Sequence, residues 1–312
     1  RYIWKALRSC IILIMNKIEV KVAIQINCKL GEGLHWDSDR NAFWFVDILN
    51  HTIYFYNIST HELKKRVLNE PVGWAIPIVN SNMILIGLKS GVAQFNFFEK
   101  NDTLEWIYIG FPEKYNQRLN DAKIDKMGRL WFGSISCVDE SNPVGSLARL
   151  NFKDNNLKII DKNYKVTNGP AFNLDNTIML HNDSGNKITY KFHLDKDTGE
   201  IIDKSIWRIY NEDEGYPDGI NFDSDENVWI AHWGAGKVCK YDLEGKLLQS
   251  ISVPTPNVTN ICFGGKDLSR LFVTTASNII DNSNKKKSQF EGAIFEIIGT
   301  GAFGLKNHYP NL

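Results

Sequence analysis

The sequence predicts an all-β protein, a six-bladed β-propeller whose four-stranded blades surround a central channel. Three observations predict it. One unit of sequence recurs six times along the chain, its copies lie roughly forty to fifty residues apart, as propeller blades do, and no amphipathic helical period or linker interrupts them. The unit is a polar residue, a short apolar alternation, a turn rich in Asp, Asn or Gly, and then a strongly β-forming strand. A large sandwich or barrel is the runner-up, but neither has a reason to keep a regular period.

In chain order, Glu32-Gly-Leu-His-Trp-Asp leads to Phe43-Trp-Phe-Val, Gly73-Trp-Ala-Ile-Pro-Ile to Met83-Ile-Leu-Ile, and Asn120-Asp-Ala-Lys-Ile-Asp to Leu130-Trp-Phe-Gly. Next, Asn168-Gly-Pro-Ala-Phe-Asn leads to Thr177-Ile-Met-Leu, Asp218-Gly-Ile-Asn-Phe-Asp to Val228-Trp-Ile-Ala, and Asn260-Ile-Cys-Phe to Leu271-Phe-Val-Thr. Third strands follow, beginning near Thr52, Gly91, Ser146, Lys187, Lys237 and Gly292. Stretches 64–68, 157–161 and 247–253 read as outer, fourth strands. Radial repetition of this kind leaves only short, protected sheet edges.

Composition fits a folded chain with a large core: 43% of the 312 residues are apolar and nine are Trp. Basic and acidic residues balance at 36 each, which argues against a nucleic-acid partner or a basic membrane surface. Five scattered cysteines without a Cys-x-x-Cys pair fit a reducing, cytoplasmic setting and no zinc site; secretion is the alternative. Residues 1–14 read as an extraneous or disordered extension before Met15, because their apolar run is too short to span a bilayer and lacks a cleavage site. Residues 15–312 read as one propeller domain. Lys285-Lys286-Lys287 reads as a solvated hairpin loop.

In a propeller the first strand of each blade lines the channel, so residues at the start of those strands gather at one mouth. Glu32, Asn120, Asn168 and Asp218 fall at the same point of four copies. Two carboxylates and two amides form an all-oxygen set suited to a hard divalent ion. The same residue types are also ordinary in turns, so this pattern by itself leaves both a ligand site and a set of structural turns open.

Leu30-Gly31-Glu32-Gly33 with His35-Trp36-Asp37, Arg118-Leu119-Asn120-Asp121 with Gly128-Arg129-Leu130-Trp131, Asn168-Gly169, Asp183-Ser184, Pro217-Asp218-Gly219 and Cys262-Phe263-Gly264-Gly265 together resemble the SMP-30/gluconolactonase/luciferin-regenerating enzyme family. The resemblance runs from about Leu30 to about Tyr309, in order. It implies one divalent cation in the channel, Ca²⁺ first with Zn²⁺, Mn²⁺ or Mg²⁺ as alternatives, held by Glu32, Asn168 and Asp218. It implies hydrolysis of a small lactone, with Arg118 and Asn120 contacting substrate and Asp121 beside them. Asp218 is then the candidate for both metal ligand and catalytic base, since a carboxylate beside a polarised carbonyl can take a proton from water. A calcium-binding regulatory or luciferin-regenerating-type protein with little lactonase activity is the alternative, and an interaction scaffold without metal is a third reading.

Two departures bear on substrate choice. Cys137-Val138 stand where vertebrate regucalcins carry a Glu-Glu pair, with Asp139 and Glu140 displaced, and Pro170 follows Asn168-Gly169 in place of a hydrophobic residue. His35, His181 and His232 read as packed strand residues rather than ligands. Ser184 lacks the Gly-x-Ser-x-Gly elbow of a serine hydrolase.

Overall fold

The molecule is seen in a computed structural model that describes residues 17–100, 103–110, 116–277, 288–310 and 312. The extension over residues 1–14 and the Lys285–Lys287 loop lie outside the described residues. Six antiparallel sheets of four strands stand in a ring, as the repeat predicts. Blade one is β2 (Gly31–Asp37), β3 (Ala42–Asp47), β4 (Thr52–Asn57) and β5 (Leu63–Val67). Blade two is β6 (Val72–Pro77), β7 (Met83–Leu88), β8 (Gly91–Asn96) and β9 (Glu105–Ile109). Blade three is β10 (Gln117–Ile124), β11 (Leu130–Ser136), β12 (Gly145–Asn151) and β13 (Asn156–Tyr164).

Blade four comprises β14 (Thr167–Phe172), β15 (Ile178–Asp183), β16 (Ile188–Leu194) and β17 (Ile201–Ile209), and blade five β18 (Tyr216–Phe222), β19 (Val228–Trp233), β20 (Lys237–Tyr241) and β21 (Leu247–Ser252). Blade six is composite. Its inner three strands are β22 (Val258–Gly264), β23 (Arg270–Thr275) and β24 (Ile294–Ile298), and its outer strand is β1 (Glu19–Ile24), from the other end of the chain. β1 runs antiparallel to β24 from Glu19 opposite Ile298 to Ile24 opposite Ile294, and Lys21 reaches the buried carboxylate of Glu296 at 3.4 Å. The sequence did not reveal this strand exchange, because a strand's partner is invisible to local periodicity.

Burial explains why the blades stack. Side chains alternate across a strand, and every residue of β3 is buried: Ala42, Trp44 and Val46 face blade two, while Phe43 and Phe45 face blade six. Each of the six blade interfaces holds its own apolar cluster. The outer strands have less to cover. β5, Leu-Lys-Lys-Arg-Val, is mostly exposed.

A second device repeats at the strand ends. Trp44, Trp131 and Trp229 donate their indole N–H to Asp37, Asp125 and Asp223 at 3.1, 2.8 and 2.9 Å, and each carboxylate also holds a cation, Arg40, Arg129 or Lys240. These buried acids thus satisfy the one polar atom of a large core side chain, which otherwise would be costly to bury. Among the described residues, helix is limited to two single 3₁₀ turns, and no helix is long and apolar enough to cross a membrane.

Candidate functional site

In every blade the pairing of the innermost strand with its neighbour slips in register at the same level. The slips fall between Glu32 and His35, Val72 and Trp74, Leu119 and Ala122, Asn168 and Ala171, Pro217 and Ile220, and Val258 and Ile261. A bulge leaves residues unpaired and re-aims their side chains, and here six bulges form one ring around the channel mouth. The candidate residues are not at one equivalent position, as the sequence suggested. Glu32 and Asn168 are the last paired residues before the bulge, Asn120 and Asp218 the first within it, and Asp121 the second.

Glycines let the ring close. A Cβ on Gly73 would lie 2.5 Å from the carbonyl oxygen of Leu119 and 2.7 Å from that of Asn120, so blade two contributes no side chain to the ring and lets blade three approach. Glu32, Arg118, Asn120, Asp121, Asn168 and Asp218 are all buried.

Their hydrogen bonds join the blades. Asn120 Nδ2 donates to Thr167 O at 2.7 Å and to Asn168 Oδ1 at 3.0 Å. Arg118 Nη1 donates to Asn120 Oδ1 at 2.6 Å and to Leu119 O at 3.2 Å. Asn168 Nδ2 donates to Ser184 Oγ at 2.9 Å, and that hydroxyl donates onward to Pro217 O at 2.5 Å. Ser184 is thereby a support that orients Asn168, and Asn182 holds the Asp218 carbonyl in the same way. Both oxygens of Asp121 accept backbone N–H groups, Oδ1 from Ala122 and Oδ2 from Gly169, each at 2.8 Å.

Two participants were missed. Asn260, which opens the sixth repeat copy, donates from Nδ2 to Glu32 Oε2 at 3.0 Å and to Asp121 Oδ2 at 3.4 Å. Its position in the repeat was the available signal. Glu140, exposed in the loop after β11, lies within electrostatic reach of Arg118, whose pKa burial nonetheless lowers, and of Asp218, which it helps to raise.

Burial among like charges dominates the electrostatics. Desolvation, and then Asp121, push the Glu32 carboxyl up to about 7. Desolvation also raises Asp121, and desolvation followed by the charges of Glu32 and Asp121 puts Asp218 well above the ordinary carboxylate range. Among the described residues, Asp218 Oδ1 is buried without a hydrogen-bond partner, and the side chain that bears most on its carboxyl is another acid, Glu32. Such an orphaned carboxylate oxygen is costly unless a cation meets it. The donor set suits a hard cation: two carboxylates and an amide oxygen. Among the described residues, no three His, Cys, Asp or Glu groups form a metal cluster alone, so such a site depends on the amide of Asn168.

His35, His181 and His232 are buried, as the sequence suggested. Desolvation lowers their pKa values to about 3, 3 and 4. His35 sits against the carbonyls of Gly33 and Ala122 at 3.1 and 3.2 Å, and His181 packs edge-on to Tyr164.

Fold and site together define a six-bladed propeller with a buried, acid-rich polar cluster at one mouth of its channel. Residues 30–277 match the model of the SMP-30/gluconolactonase/LRE-like region, and the chain belongs to that family. It is 30% identical to regucalcin of Sus scrofa over 300 residues, covering 93% of this chain and 98% of the relative. It superposes on a luciferin-regenerating enzyme with a TM-score of 0.88 at 28% identity, covering 95% of this chain and all of that one. A gluconolactonase from Xanthomonas campestris, at 15% identity and a TM-score of 0.71 over 91% of this chain and 90% of that one, shares the fold.

Proposed function

We propose that this protein is a divalent-metal-dependent hydrolase of small lactones, with Glu32, Asn168 and Asp218 holding the cation. The observation that carries this reading is the buried carboxylate cluster, in which one Asp218 oxygen has no hydrogen-bond partner among the described residues. The matched family, described as SMP-30/gluconolactonase/LRE-like, supports it. Ca²⁺ is the expected ion, because oxygen donors that include an amide suit it better than zinc. When bound, the cation supplies Lewis-acid polarisation of the lactone carbonyl.

The chain's own groups do the rest. Asp218 takes a proton from the attacking water as the new C–O bond forms, and returns it to the ring oxygen as the lactone C–O bond breaks. Asn120 and Asn168, locked to each other and to the strand backbone, need no rearrangement to receive substrate. Arg118 spends Nη1 on Asn120 and Leu119. Its remaining N–H groups have no partner among the described residues, so they are available to orient substrate oxygens. Asp121, fixed by two backbone N–H groups and Asn260, keeps the bulges of three blades in register beneath the substrate.

The test is hydrolysis of glucono-δ-lactone by protein stripped of metal and resupplied with Ca²⁺, Mg²⁺, Mn²⁺ or Zn²⁺. Rescue that disappears in Asp218→Asn is the expected result. Tight Ca²⁺ binding without turnover of any lactone would instead favour a calcium-binding regulatory protein, and full activity after chelation would overturn the proposal.

A further inference from the structure

The same inner strands that carry the acidic cluster at one mouth end in a second cavity at the other. Lys123 and Ile124 follow Asp121 on β10, Phe172 follows Asn168 on β14, and Asn221 and Phe222 follow Asp218 on β18. At about 3.3 Å per residue, the two places lie on the order of 10 Å apart along the channel. The remaining wall is the segment after β24. It crosses this face with Gly304 bonded to Leu268 O, and with Asn307 Nδ2 and Tyr309 OH both donating to Trp36 O, at 3.1 and 2.8 Å. The cavity encloses about 150 Å³.

Its lining differs in kind from the candidate active site. Lys123, Lys126 and Lys306 contribute three ammonium groups, and no carboxylate lines it among the described residues. The nearby carboxylate of Asp125 is fully engaged by Arg129 and Trp131. Lys123 is only partly exposed, and none of the three side chains has a hydrogen-bond or ion-pair partner among the described residues. The lining amides commit Nδ2 to the protein, Asn173 to both Thr177 and Glu226, Asn221 to Ile261 O and Asn307 to Trp36 O, which leaves Asn221 and Asn307 one N–H each. The charged donors of the lining are therefore the lysines, while Ile124, Phe172 and Leu305 supply apolar wall. Burial pushes down both lining histidines, His35 and His308, so the site's charge at neutral pH is that of the lysines.

We propose that this cavity binds a small organic anion with an apolar body, an aromatic or short aliphatic carboxylate, with its carboxylate among Lys123, Lys126 and Lys306 and its body against Phe172 and Leu305. Unpaired ammonium groups around a concave apolar surface supply charge-assisted hydrogen bonds and burial to one ligand together. The proposal does not depend on the reading of the lactone site, although the Lys123 charge also reaches Asp121 there, where burial raises the carboxyl's pKa and that charge lowers it.

The test is calorimetric titration of the full chain with benzoate, its neutral analogue benzamide, and inorganic phosphate. Benzoate is expected to bind one to one and to weaken with salt, with benzamide and phosphate each about tenfold weaker or more. Lys123→Met and, separately, Lys306→Met on the C-terminal segment should each weaken benzoate by roughly fivefold or more, while Arg118→Ala at the opposite mouth leaves it unchanged. Equal binding of benzamide, stronger binding of phosphate, loss of benzoate in Arg118→Ala, or no binding of benzoate would each overturn the proposal. Retained benzoate affinity in both folded lysine variants would do the same.

Discussion

Glu32→Gln separates the electrostatic cost of the acidic cluster from its use. In metal-free protein the Glu32 carboxyl is held near 7 by burial and by Asp121, against about 4.3 in an unfolded chain. A carboxyl whose folded pKa is raised binds its proton more tightly when folded. Its destabilising contribution is therefore absent well below the unfolded value, grows as pH rises toward 7, and stays constant above. Between those limits the gap corresponds to about 4 kcal/mol at pH 8 and about 1 kcal/mol at pH 5. Glutamine retains an oxygen for the N–H groups of Gly33 and Asn260 that now bond to Oε2 and carries no charge. Metal-free Glu32→Gln should then be more stable than metal-free wild type by about 4 kcal/mol at pH 8, or roughly 5 °C or more in melting temperature, and by only about 1 kcal/mol at pH 5. Taking the difference between variant and wild type at each pH cancels the titration of groups remote from Glu32, while Asp218, whose carboxyl the Glu32 charge raises, is eased in the same direction. Added Ca²⁺ should raise the wild-type melting temperature and leave that of the variant nearly unmoved. Thermal melts in chelator at the two pH values measure the first effect, and melts with Ca²⁺ the second. A variant less stable than wild type in chelator at pH 8 would refute the reasoning, because it would mean that Glu32 stabilises the empty cluster.

Other outcomes follow from the same geometry. Arg118→Lys removes the planar fork that holds Asn120 Oδ1 at 2.6 Å, and steady-state kinetics should show KM for a lactone rising by roughly tenfold or more with a smaller change in kcat. Asp125→Ala strips partners from Arg129 and the Trp131 indole, bonded to Asp125 Oδ2 at 2.7 and 2.8 Å, and urea unfolding should record a loss of about 3–5 kcal/mol. Burial keeps His35, His181 and His232 neutral in the fold, with pKa values below the ordinary imidazole value of 6.5. The stability they provide is complete above that value and is lost as pH falls through it toward 4 and 3. Replacing His181, whose ring nitrogens have no hydrogen-bond partner among the described residues, with Phe should flatten the acid slope of the urea midpoint by about one proton.

The inner half of each blade was legible in the sequence because inner strands are buried on both faces. β3 and β19 read as near-continuous apolar runs for that reason. The outer strands β9 and β17 were missed. Only one side of such a strand is paired, and their burial is weak and irregular, so no clean alternation survives to be read. At the site, residue type and repeat position found Glu32, Asn120, Asn168 and Asp218, but could not resolve which side of the bulge each occupies. That depends on cross-strand pairing. Asn260 escaped notice because its role lies in bonds to Glu32 and Asp121, 228 and 139 positions away. Ser184 was weighed as a nucleophile and set aside, whereas its function in the structure is to accept from Asn168 and donate to Pro217. A hydroxyl's donors and acceptors belong to the fold, not to the motif around it.

The pairing of β1 with β24 also sets a timetable. Partners such as Ile24 and Ile294 are roughly 270 residues apart, and at about 5–20 residues per second a ribosome needs on the order of 15 to 55 seconds to bring the second into existence after the first. Until then Val20 and Val22, which pack into the interface of blades five and six, have no native surface to cover them. The opening strand must wait as an unpaired edge through the synthesis of five blades, open to pairing with other nascent chains. For this molecule the hazard of aggregation is therefore concentrated before the ring closes, and closure is the event that most needs protection in the cell.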